Sequence, residues 1–141
     1  MKYLFIIIGF SVFLILSGCA TTQNTGPIIT FIPKGVPFEK VKNEIIRVYA
    51  RDGWNMEHES DHMLTFVIEN KNPMAQLFLS SQYDSRVFNR ETVIITDSDQ
   101  GINISATQAT ISNYGSAFEH SSPVASGAQA RLIDIRSHLT Q

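Results

Sequence analysis

The chain has 141 residues, 43% of them apolar, with 11 Lys and Arg against 13 Asp and Glu and a single Cys. That length admits one domain, and the net charge of -2 argues against the basic stripe of a nucleic-acid binder. One cysteine excludes both an internal disulfide and a thiolate zinc cluster.

Residues 1–18, MKYLFIIIGFSVFLILSG, open on Lys2 and continue through an apolar run from Tyr3 to Leu16. The run has the length of a signal-peptide apolar segment and is short of the ~20 residues that a spanning helix needs. Leu16-Ser17-Gly18-Cys19 follows and resembles the lipobox of bacterial lipoproteins. There, small residues precede a cysteine that is lipidated and becomes the first residue of the mature chain. The resemblance implies two or three acyl chains on Cys19. Two or more anchor stably where one holds only marginally. Ala20 stands where an Asp would resemble an inner-membrane retention signal, so the periplasmic face of the outer membrane is the expected location. An ordinary secretory signal, or an uncleaved anchor with an incidental Cys, is the competing reading of the same residues. Residues 19–27 are small and polar and read as a lipidated tether. Residues 28–141 then form a single domain, large enough to fold without disulfides or a metal.

Ile28 to Ile32 is β-branched and predicts a first strand, closed by Pro33-Lys34-Gly35. A helix is expected from Pro37, because Phe38, Val41, Ile45, Val48 and Tyr49 form one stripe, with Gly53 ending it. The period then becomes two. Leu64, Phe66 and Ile68 alternate along one strand, Ala75, Leu77 and Leu79 along a second, and Val93 and Ile95 along a third. Ser80 to Asn89 reads as a loop. Asp97 to Gly101 is a hairpin turn, followed by a strand with Ile102, Ile104 and Ala106 on its buried side. Asn113 to Ser121 has no pattern. Ser122-Pro123 offers the start of a second amphipathic helix, whose stripe is Ala128, Leu132, Ile135 and Leu139. The order predicts an α+β fold, an antiparallel sheet of about four to five strands with two helices on one face. The other face should be solvated.

The stretch PFEKVKNEIIRVYARDGWNMEHESDHMLTFVIEN resembles the opening of the helix-grip domains in BamC-type outer-membrane lipoproteins. In those, an amphipathic helix ends at a Gly-aromatic pair, here Gly53-Trp54, ahead of a hairpin with a hydrophobic second strand. The resemblance covers about a third of the mature chain and implies an accessory or scaffold role with no active site. Only one such domain fits here, so the family's specific partner is not carried over.

His58-Glu59-Ser60-Asp61-His62 matches the zinc-protease pattern H-E-x-x-H, which works on a helix where the two histidines share a face. Gly53 has just ended a helix and the residues that follow alternate, so a hairpin tip in water is the expectation. A metal on His58 and His62 would need His120, Glu119 or His138 as a further ligand. Asp97 to Gly101 departs from a calcium loop, with its Gly one position early and Gln108 where the bidentate Glu belongs. Gly115-Ser116 lacks the second Gly of a nucleophile elbow. Trp54, at a helix-strand junction, reads as core rather than as a stacking platform.

Two surfaces remain. Arg90, Thr92, Asn103, Ser105 and Thr107 make the polar side of the sheet, and Tyr83, Arg86 and Phe88 form an interface-like mixture of aromatics and Arg. The expectation is a lipid-anchored envelope protein without enzymatic activity or cofactor, which binds another envelope protein as an accessory or scaffold module. One rival is a protective or inhibitory lipoprotein that uses Glu57, Glu59 and Asp61 as an acidic plug. The other is a metal-dependent hydrolase built on His58, Glu59 and His62.

Overall fold

The computed structural model describes residues 25–80, 82 and 84–141. The expected signal peptide, Cys19, most of the expected tether and Tyr83 lie outside the described residues. Among those described, no helix is long and apolar enough to cross a membrane.

Strand β1 (Ile28–Pro33) leads into α1 (Phe38–Arg51), whose stripe Val41, Ile45, Val48 and Tyr49 is fully buried. Pro37 flanks the helix and its carbonyl accepts from Val41 N at 3.2 Å. Gly53, at φ 84°, turns the chain out of the helix. Strands β2 (Asn55–Glu59) and β3 (Met63–Glu69) follow, then the short helix α2 (Pro73–Leu79). The long hairpin of β4 (Val87–Ser98) and β5 (Gly101–Ser112) carries the centre of the sheet, and β6 (His120–Val124) and α3 (Gln129–Leu139) complete the chain.

All pairings are antiparallel, in the order β1-β5-β4-β3-β2, and β6 shares with β1 the outer side of β5. β1 pairs with residues 101–106 of β5 and β6 with residues 108–112, so the two lie end to end. Gly101, at φ 147°, is required at the junction: a Cβ there would sit 2.2 Å from the carbonyl oxygen of Ile32. Helices α1 and α3 pack on one face, joined by an exposed ion pair from Arg51 Nη1, at the end of α1, to Asp134 Oδ2, midway along α3, at 2.7 Å. Ile32, Leu64, Phe66, Val93, Ile95, Ile104, Leu132 and Ile135 fill the space between helices and sheet. The fold is α+β with an antiparallel sheet and its two amphipathic helices on one face.

Three expectations are corrected. The Ala75-Leu77-Leu79 alternation belongs to helix α2, not to a strand. Asn72 accepts from Met74 N at 2.9 Å as its cap, and Pro73 begins the helix. Ser122-Pro123 lies in strand β6, and the last helix begins at Gln129. β6 is an outer strand, where a residue without an N–H is tolerated. The face away from the helices is solvated only in part, because Val67 is 7% exposed and Ile111 is fully buried.

Candidate functional site

Alternation along β4 sends Phe88, Arg90 and Thr92 to the open face of the sheet and Glu91, Val93 and Ile95 to the helix-covered face. Arg90 is the centre of the open-face site. Its Nε and Nη2 donate to Glu57 Oε2 and Oε1 at 2.5 and 2.6 Å, a bidentate pair. Its Nη1 donates to Glu119 Oε1 at 2.6 Å, and the other oxygen of Glu119 accepts from Gly115 N at 3.0 Å. Glu57 comes from β2 and Glu119 from the turn after β5, so one guanidinium ties three parts of the chain.

Aromatic rings continue this arrangement. The Arg90 guanidinium lies 5.8 Å from the Tyr114 ring, Tyr114 meets Phe88 at 4.6 Å, and Arg86 lies 5.8 Å over Phe88. Arg86 in turn pairs with Asp84 at 3.2 Å. The result is a ladder along the open face in which two adjoining rings, Phe88 and Tyr114, lie between two cations, Arg86 and Arg90. Its charges are tuned by their neighbours. Hydrogen bonding to Glu57 first, and then to Glu119, pushes the Arg90 pKa up. Arg90 first, and the Gly115 N–H second, hold the Glu119 carboxyl below its ordinary 4.5. Partial burial, reinforced by Glu57, raises the Tyr114 phenol. Beside the ladder lies a concavity of about 350 Å³, lined by Thr25, Arg90, Thr92, Thr107, Ser121 and Pro123.

On the helix-covered face the same residue types meet in a largely buried setting. Glu91, fully buried, accepts from Tyr49 Oη with one oxygen and from Arg131 Nη2 with the other. The Arg131 guanidinium lies 5.0 Å from the Tyr49 ring and 4.8 Å from the Trp54 ring. Burial pushes the Glu91 carboxyl above 4.5 despite both partners, and raises the Tyr49 phenol as well. Trp54 is core, at 8% exposure.

The remaining sequence candidates separate. Arg86 is exposed beside β4, and Phe88 lies within that strand rather than in a loop. Thr92 and Thr107 face each other across β4 and β5 in the concavity. Asn103 and Ser105 sit nearer the β4–β5 turn, paired with Phe31 and Ile29. His58 and Glu59 are on strand β2 and exposed, so the motif lacks the helix that would align its histidines. Glu59 pairs with Lys42 at 2.8 Å, and the His62 ring meets Phe38 edge-on at 5.3 Å. Among the described residues no three His, Cys, Asp or Glu side chains converge as a metal group. Of the acidic tip, Glu57 and Glu59 are ion-paired within the chain. Asp97 to Gly101 forms the hairpin end, with Ser98 Oγ donating to the Gly101 carbonyl at 2.6 Å.

Sequence reasoning missed Tyr114 and the Glu91–Arg131 pair. Glu91 did leave a signal: it shares the alternation of Val93 and Ile95, which places a carboxylate on the core side of the strand.

Fold and site together define the class: an α+β domain with a helix-covered face and an open face that carries an arginine–aromatic ladder. No family model matches the chain, and no curated protein does. Among solved structures, a TBP-like protein from Parabacteroides distasonis is similar at 12% identity, with 87% of this chain and 86% of that chain covered and a TM-score of 0.34.

Proposed function

We propose that this is a lipid-anchored envelope lipoprotein whose domain is a non-enzymatic binding or accessory module, with its open face turned to another envelope protein. The observation that carries the reading is the ladder Arg86–Phe88–Tyr114–Arg90. Arg and aromatic side chains are the residues that dominate binding energy at protein interfaces. Here Glu57 and Glu119 fix the central Arg in advance, so that little side-chain freedom remains to be lost on association. The lipobox at Cys19 supports the location, on the periplasmic face of the outer membrane.

The experiment is affinity capture of the full lipidated protein from gently solubilised envelopes, with Cys19→Ala as the control for membrane debris. One stoichiometric envelope protein, retained less well by Arg86→Ala and by Phe88→Ala, is the expected result. Capture that is indifferent to both substitutions overturns the ladder as the interface. A captured toxin or hydrolase replaces the accessory role with a protective one.

A further inference from the structure

Strand directions gather several connections at one end of the sheet. β3 ends there, β4 begins there, β5 ends there and β6 begins there. β1 runs antiparallel to β5 from the Ile28–Ala106 pair, so residues 25–27 come from the direction of that end, and Thr25 lines a concavity with Ala109 and Pro123. Large apolar side chains collect at the same place. Leu77 and Phe78 on α2 are each 71% exposed and Phe118, in the β5–β6 connection, is 74% exposed; Met74 adds 58%.

Helix α2 is built to hold them outward. It buries no residue and carries no acidic side chain in its first turn. Seven residues are too few for a helix to persist unaided in water. Its support is a polar root. Asn72 caps it, Gln76 Nε2 donates to the Asn70 carbonyl at 3.2 Å, and Asn70 Nδ2 donates to Asn89 Oδ1 at 3.2 Å. Asn89 in turn accepts from Thr110 Oγ1 at 3.3 Å. Hydrogen bonds tie the helix to the sheet; Leu79 and one side of Phe78 border a concavity with Thr110, Ser112 and His120, while most of the Leu77 and Phe78 surface stays exposed.

Five residues separate Cys19 from Thr25, so the six Cα steps between them span about 20 Å at full extension. We infer that this end of the sheet rests on a lipid bilayer, with Leu77, Phe78 and Phe118 entering the boundary between headgroups and acyl chains. The inference depends on the lipoprotein reading, because an acyl group on Cys19 is what keeps the surface within about 20 Å of Thr25. A shallow apolar contact of this kind adds to an acyl anchor, since both place hydrocarbon in the same layer.

The test uses full-length protein carrying its lipid, reconstituted into vesicles of phosphatidylethanolamine and phosphatidylglycerol. An environment-sensitive dye is attached at Phe78→Cys or, as a control, at Asp99→Cys in the exposed turn beyond β4, twelve strand residues away. An acylated Cys19 takes no dye. Dye at position 78 is expected to shift to the blue and to be quenched severalfold more strongly by brominated acyl chains than dye at 99. Adding Leu77→Asp and Phe118→Asp should abolish that difference while the far-UV spectrum stays unchanged. If dye at 78 remains in water on vesicle-bound protein, the bilayer contact is wrong and the lipoprotein reading stands. A blue shift without bromolipid quenching assigns the face to a protein and also overturns the contact. If the unsubstituted protein fails to float with vesicles and takes dye at Cys19, both readings fall together.

Discussion

Arg90 and Glu91 are neighbours in sequence that point to opposite faces of β4, and each completes a set of Arg, Glu and aromatic side chains. Arg90 is 23% exposed and has two carboxylates; Glu91 is fully buried with one guanidinium and one phenol. On the open face the groups stay partly exposed, so the pairing with Arg90 lowers the Glu119 carboxyl and fixes the geometry at little cost. On the covered face, desolvation outweighs the same partners, and the Glu91 carboxyl rises instead. Identical chemistry therefore acts as a rigid presentation surface on one side and as a costly internal joint on the other.

The comparison breaks most readily at Arg131. Arg131→Ala leaves Glu91 buried without its cation, and urea unfolding should show a loss of about 3–5 kcal/mol. That is a large share of what a domain of this size has. Glu91→Gln sharpens the contrast through pH. A carboxyl with a raised folded pKa contributes stability that is present in full below about 4.5 and lost as pH rises through the folded value. The stability of the native chain relative to Glu91→Gln should therefore fall as pH climbs from 4.5 and then level off.

Arg90→Ala addresses the open face. Its ion pairs are partly solvated, so unfolding should change by less than about 1 kcal/mol, while capture of the proposed envelope partner should weaken. A loss comparable to that of Arg131→Ala would erase the distinction between the two faces. The smallest effect is expected from Glu119→Gln, with the opposite pH sign. The Glu119 pKa is lowered, so its contribution is present above about 4.5 and lost as pH falls through the lowered value. The native chain should gain on Glu119→Gln as pH rises toward 4.5, the reverse of the Glu91 slope.

Helices α1 and α3 were legible because their stripes run for several turns with one answer. Val41, Ile45 and Val48, or Leu132, Ile135 and Leu139, are buried as the spacing requires. Helix α2 was not, because Ala75, Leu77 and Leu79 satisfy a strand as well as a helix over only seven residues. The deciding signal was local: Asn72-Pro73, a capping side chain followed by a proline at the first helical position. Ser122-Pro123 misled for the related reason that proline also suits an outer strand. The site was half legible. Arg86, Phe88 and Arg90 stood out as residue types, whereas Tyr114 and Glu119 join them through a turn. That turn rests on positive φ at Asn113 and Gly115 and shows no periodicity.

The close fit of β1 against the Gly101 corner has a mechanical consequence. Any pull delivered through the segment ahead of Ile28 runs along the strand axis, and the six pairs from Ile28–Ala106 to Pro33–Gly101 carry it in shear. Such a joint shares load across all of its rungs, whereas a strand peeled from one end gives way rung by rung. A domain loaded through its first strand in this way gives up all six rungs together or none.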